Sequence, residues 1–256
     1  MLDELVGGAL ADAALRRDHR SLTQVEAEAL AQSPALDALA ALAPRDSVHI
    51  IAEVKRWSPS KGKLAAIADP AALALDYQSG GASAVSVLTE GRKFGGSLED
   101  LVAIREAISI PVLRKDFIAE PYQLFEARAA GADLALLIVA ALDDATLTEL
   151  FKLTNELGMT ALVETHSADE VERALDLGAD LIGVNARDLS TFELDQDLFG
   201  SLADRIPSGV IRVAESAVKS AADVAHYRRS GADVVLVGEA LVTSDPLATL
   251  NEFLAV

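Results

Sequence analysis

The sequence predicts an α/β protein, a (β/α)8 barrel preceded by a helical extension, and three features carry that expectation. The tripeptide Gly-Ala-Asp or Gly-Ala-Ser recurs at Gly81, Gly131, Gly178 and Gly231, each time after a helical pattern and before an apolar run. Glycine suits the left-handed residue that ends a helix, and the short polar residue leads into a strand. The spacings of 50, 47 and 53 residues are too long for one strand–helix unit and about right for two. Further apolar runs follow Pro111, Gly158 and Gly209, between those marks. Finally, five apolar runs end on an ionisable or amide side chain: Glu53 with Lys55, Lys115, Glu164, Asn185 and Glu215. Strands that are oily along their length and polar at the carboxyl end suit a parallel sheet whose rim is a reaction site, because charge is costly deeper in the core.

In chain order, residues 1–43 precede the repeat and carry helical patterns from Leu2 to Arg17 and Val25 to Ala31, with Pro34 opening a third stretch. This extension is expected to brace the catalytic end of the barrel; the alternative is a plug at its bottom. Strands are expected near 48–54, 83–88, 111–115, 133–139, 159–164, 180–184, 210–214 and 233–237. Helices fill the gaps, with the clearest apolar spacing from Glu120 to Ala130 and Asp143 to Leu157. Eight alternations favour a closed TIM barrel over an open doubly wound sheet, which usually carries a nucleotide-type glycine loop after its first strand. No linker-like stretch interrupts the apolar segments, so residues 1–256 read as a single domain.

Composition narrows the function. The formal charge of −18 repels nucleic acid and anionic membrane, so an anionic ligand needs a local basic cluster. Candidates are Lys55, Arg56, Lys61 and Lys63, then Arg92 with Lys93, and Arg114 with Lys115; Lys61, Lys63 and Arg105 read as solvated surface charges. With no cysteine there is no disulfide, thiolate metal site or cysteine nucleophile. The acidic start and the shortness of the longest apolar run, Leu134 to Leu142, point to a soluble cytoplasmic protein. His19, His49, His166 and His226 lack metal-ligand spacing, so no bound metal is expected.

Side chains two apart on a strand point the same way, so Glu53 and Lys55 share a face and can hold each other ionised. The loop after them, WSPSKG, supplies a hydroxyl at Ser58 and a rigid turn at Pro59. Lys115 is a candidate general acid, Schiff-base nucleophile or anion clamp. Glu164 is the clearest base candidate, because burial raises a carboxylate's affinity for a proton. Asn185 and Arg187 offer an amide and a guanidinium suited to a hydroxyl and a carboxylate. Glu215, Ser216, Gly238 and Glu239 follow the last two strands, where this fold often binds phosphate. Phe94 and Phe117 are placed to form an apolar slot, and Trp57 either stacks on an aromatic substrate or covers its loop.

In order, IAEVKRWSPSKG, SVLTE with FGGS, VLRKDF, LVETH, GVNARDL, AESAV and VGEALV closely resemble the motifs of the indole-3-glycerol phosphate synthase family of tryptophan biosynthesis, over about residues 48–246. The resemblance implies a cofactor-free ring closure of 1-(2-carboxyphenylamino)-1-deoxyribulose 5-phosphate to indole-3-glycerol phosphate, carbon dioxide and water. It implies Lys115 as general acid to the ketone oxygen, Glu164 as base or as support for positive charge, and Glu53 with Lys55 as proton shuttle. Asn185 and Glu215 complete the implied catalytic set. Ser58, Pro59, Arg187, Leu189, Ser216, Gly238 and Glu239 would hold the substrate, with its ring sandwiched between Phe94 and Phe117. A monomer acting on a small phosphorylated molecule is expected.

Two residues depart from the family pattern. Ala217 stands where glycine is usual beside the phosphate, and Trp57 replaces what is commonly a smaller residue. Three rival readings remain: the cysteine-dependent phosphoribosylanthranilate isomerase, which the absence of cysteine disfavours, a Schiff-base aldolase using Lys115, and a catalytically inert sugar-phosphate-binding barrel.

Overall fold

The computed structural model describes residues 1–188, 191 and 193–256. Eight parallel strands close into a barrel: β1 (His49–Val54), β2 (Ala84–Leu88), β3 (Val112–Lys115), β4 (Leu134–Ile138), β5 (Thr160–Thr165), β6 (Leu181–Asn185), β7 (Ile211–Glu215) and β8 (Val234–Val237). Each strand pairs with its sequence neighbours, and β1 closes the ring against β8 through His49 opposite Val234. All eight fall within two residues of their expected limits. A short hairpin pairing Trp57–Ser58 with Gly62–Lys63 was not expected; it shapes the loop after β1.

The repeat does what its chemistry predicts. Gly81, Gly131, Gly178 and Gly231 all have positive φ, between 76° and 93°, ending helices in the left-handed region. The following aspartates then tie neighbouring strands at the barrel's amino end. Asp133 accepts from the Val112 backbone N–H at 2.9 Å, and Asp233 accepts from that of Arg212 at 2.9 Å. Arg105 joins Asp133 at 2.6 Å, so it is a half-buried ion-pair partner and not the solvated charge expected.

The extension forms α1 (Leu2–His19), α2 (Leu22–Ala31) and α3 (Ala38–Ala41). Both expected placements occur, in different helices. α1 lies at the carboxyl end: Asp12 accepts from Arg92 in the loop after β2 at 2.6 Å, and Arg16 forks onto Glu126 at 2.6 and 2.8 Å. α3 sits at the opposite end, where the Leu36 backbone N–H donates to Asp133 and the carbonyl of Ala43 faces His49 Nε2 at 2.9 Å. The brace reading therefore holds for α1 and needs correction for α3, which closes the bottom with Ala38 and Leu42 fully buried.

Among the helices between strands, α4 (Pro121–Ala129) and α5 (Asp144–Glu156) match their predicted spans to one residue. Each begins with a cap or Pro at its first turn, as orphan N–H groups require. Alternate residues of the strands divide the core: Ile50, Ala52 and Val54 pack outward against the helices, whereas Ile51, Leu113, Leu136 and Leu162 fill the barrel. Among the described residues no helix is long and apolar enough to cross a membrane.

Candidate active site

The polar strand ends converge on one cavity of about 250 Å³ at the carboxyl rim, lined by Glu53, Lys55, Lys115, Glu164, Asn185 and Glu215. The loops contribute Ser58, Pro59, Phe94, Phe117, Arg187, Ser216, Gly238 and Glu239 to the same walls. Leu189, the remaining expected residue, lies outside the described residues.

Lys115 is the hub. Its Nζ donates to Glu164 Oε2 at 2.9 Å and lies 3.3 Å from Glu215 Oε2. Asn185 Nδ2 donates to Glu164 Oε1 at 3.1 Å, and Ser216 Oγ donates to Asn185 Oδ1 at 2.8 Å, fixing the amide's orientation. Across the barrel, Lys55 Nζ meets Glu53 Oε1 at 2.8 Å, as their shared strand face requires. Ser86 donates to Glu53 Oε2 at 3.1 Å. Sequence reasoning passed over Ser86, although a hydroxyl inside the apolar strand AVSVL was a signal; the β1–β2 register puts it directly opposite Glu53.

The two buried carboxyl groups around Lys115 are shifted in opposite directions. Burial works to raise the proton affinity of both. For Glu164 it is outweighed by Lys115 and by His166, so this carboxyl lies well below its ordinary range. For Glu215 burial wins over Lys115, assisted by repulsion from Glu164, and the group is pushed up to about 8. Burial was expected to raise the proton affinity of Glu164; Lys115 and His166 outweigh it and lower that affinity, whereas at Glu215 burial prevails. Lys115 itself is desolvated, yet Glu164, Glu215 and Glu53 together raise its affinity for a proton above that of a free amine.

Close packing leaves little slack. A β-carbon on Gly238 would stand 2.7 Å from Glu53 Oε1 and 3.0 Å from Lys55 Nζ, and one on Gly183 would stand 2.2 Å from Glu215 Oε1. At either position a methyl group would push the neighbouring charged side chain out of its place. Ser216 and Ala217 have φ of 70° and 58°, so the loop after β7 runs left-handed through two residues with side chains. At the mouth, Lys61 pairs with Glu239, bridging the loop after β1 to the start of the short helix Glu239–Val242. Burial lowers the proton affinity of Arg187, with Glu239 opposing.

Two expectations change, for the phenylalanine slot and for Arg114, and the two readings of Trp57 are decided. Phe94 and Phe117 touch as a tilted pair, 6.1 Å between centroids at 38°, so they form one apolar wall with no slot open between them. Trp57 packs over Gly95 and its backbone N–H donates to the Phe94 carbonyl at 3.2 Å; it covers the loop and does not line the cavity. Arg114 points away from Lys115, because successive strand residues face opposite ways. It is fully buried between Asp116 at 2.9 Å, Glu126 at 3.6 Å and the Gln123 carbonyl, and adds nothing to an anion site.

The chain is similar over nearly its whole length to known proteins. The family model for indole-3-glycerol phosphate synthase matches residues 2–253. The indole-3-glycerol phosphate synthase of Leifsonia xyli subsp. xyli is 70% identical over 253 residues, spanning 99% of this chain and 97% of that protein. The one from Mycobacteroides abscessus is 56% identical over 247 residues, spanning 96% and 90%. Among solved structures, an N-acetylmannosamine-6-phosphate 2-epimerase from Clostridium perfringens superposes with a TM-score of 0.62 at 14% identity, over 83% of this chain and 94% of that one; this likeness concerns the barrel alone. With its motifs in order along the barrel, and with relatives of this identity over nearly its whole length, the chain belongs to the indole-3-glycerol phosphate synthase family, carboxy-lyases of tryptophan biosynthesis.

Proposed function

We propose that the chain closes the indole ring of 1-(2-carboxyphenylamino)-1-deoxyribulose 5-phosphate, releasing indole-3-glycerol phosphate, carbon dioxide and water without a cofactor. The observation that carries this reading is one buried ammonium, Lys115, set between two carboxyl groups of opposite proton affinity in a half-apolar cavity. Condensing a ketone with an aromatic ring needs a proton donor, a dry wall that folds the substrate, and an anion cradle.

In the first step the ring carbon bearing the carboxylate attacks the ketone carbon, and the carbonyl π electrons move to oxygen. Lys115 protonates that oxygen. The resting amine holds its proton firmly, so transfer accompanies the rise in basicity as the oxygen becomes an alkoxide, and the cation stabilises the growing charge beforehand. A Schiff base would need the neutral amine, which this setting disfavours. Positive charge left on the ring and its nitrogen is steadied by the ionised Glu164. Carbon dioxide leaves, its bonding electrons returning to the ring. Dehydration then breaks the bond to the former ketone oxygen, protonated to leave as water, while a base takes a proton from the adjacent carbon. Glu53 and Lys55, in contact at 2.8 Å, serve this exchange. The Phe94–Phe117 wall receives the aromatic ring, and Ser58, Arg187, Ser216, Gly238 and Glu239 line the end that takes the sugar phosphate.

The test is direct. Purified protein and the carboxyphenylamino sugar phosphate are expected to give indole fluorescence and carbon dioxide in equal amounts. Absence of both between pH 6 and 9 would contradict the reading.

A further inference from the structure

His166 carries no metal-ligand pattern and does not line the cavity, yet it is largely buried beside the hub. It follows β5 directly, and its Nε2 lies 3.4 Å from Glu164 Oε1. The alignment is too poor for a hydrogen bond, and Nε2 has no other partner among the described residues, so the contact is ionic. On the far side Nδ1 lies 3.3 Å from Glu170 Oε2, the oxygen that also accepts from the His166 backbone N–H at 2.8 Å. A neutral imidazole would turn a lone pair toward one of these carboxylates, whereas an imidazolium presents a hydrogen to each. Burial opposes the charge, but Glu164 and Glu170 prevail and push the ring up to about 10.

We propose that His166 is a positioning residue for ring closure: its imidazolium, oriented by Glu170, keeps Glu164 anionic and in place while Lys115 gives up its proton. This rests on the role of Lys115 proposed above. Glu164 meets two cations, Lys115 from β3 and His166 from the end of β5, and one amide, Asn185 from β6. When Lys115 becomes neutral, burial alone would convert Glu164 to the neutral acid, which neither steadies a cation nor accepts a proton. His166 remains charged through that step. Glu170 at the start of the helix Ala168–Asp176 faces its other side.

The proposal is tested in the full-length protein by two measurements. Nitrogen-15 NMR of the histidine rings, with His166 assigned by through-bond correlation to its own backbone in the wild-type protein, is expected to show both ring nitrogens protonated at pH 8; a neutral ring at pH 7 overturns the proposal, and this arm requires no variant. In turnover, His166→Gln is expected to lower kcat about tenfold or more with KM little changed. The acid limb of its kcat profile should move up by about one pH unit, because an opposite charge at this range lowers a carboxyl by 1–3 units. Glu170→Gln should move the limb the same way by less. An unshifted limb with ordinary kcat, or a change in KM alone, contradicts the role. Wild-type protein assayed alongside separates the two ideas: no product from it contradicts ring closure itself, while normal wild-type turnover with an unaltered His166→Gln contradicts only this inference.

Discussion

Lys115 Nζ stands 3.3 Å from Glu215 Oε2, yet the proton affinity of this carboxyl is raised. Burial and the neighbouring Glu164 push it up to about 8 against that cation. One oxygen, Oε1, is buried with no hydrogen-bond partner among the described residues. A site with one carboxylate and one carboxylic acid can both accept and donate a proton near neutrality.

The sign of the resulting stability effect is fixed. From the ordinary 4.5 to about 8, folded Glu215 keeps a proton that the unfolded chain has released, so this group's contribution to stability falls as pH rises through that window. Glu215→Gln removes the fall. Thermal melts should show the variant gaining on the wild type between pH 5 and 8, and its kcat should drop roughly 10²–10⁴-fold if the acid form takes part in proton transfer.

Gly238→Ala is expected to impair dehydration. The new methyl group would meet the Glu53–Lys55 pair at 2.7 and 3.0 Å and displace it. Gly183→Ala crowds Glu215 in the same way at 2.2 Å. Both contacts are with side-chain ends that can swing aside, so kcat should fall at least tenfold while the melting temperature changes little. Steady-state kinetics and melts on each variant check this.

Ala217 stands at a backbone angle that favours glycine, φ 58°. The left-handed region costs a residue with a side chain roughly 1–2 kcal/mol, partly offset because glycine frees the unfolded chain. Ala217→Gly should therefore stabilise by up to about 1 kcal/mol. Ser216→Gly should behave differently, since it also removes the 2.8 Å hydrogen bond to Asn185. Denaturant titrations of the two variants give the comparison.

Much of this was legible in the sequence because its signals are local. Gly131 and Gly231 announce helix ends whose left-handed geometry the structure shows, and Lys115, Glu164 and Glu215 stand out because charge closes an oily strand. What was hidden depends on distances through space. Glu164 and Glu215 look alike along the chain, and only the placement of Lys115 and His166 decides which one ionises. Arg114 resembles Lys115 in sequence but belongs to the opposite strand face, where Asp116 and Glu126 hold it. Likewise, a helical pattern such as α3 does not record which end of a barrel it will cover.

Ring closure as proposed depends on a proton from Lys115. Single-turnover assays of Lys115→Ala against the carboxyphenylamino sugar phosphate, with circular dichroism and substrate affinity measured on the same preparation, decide whether it does. Indole formation is expected to fall by about 10²–10⁴ or more with fold and binding retained. Formation within a few-fold of the wild-type rate would contradict it.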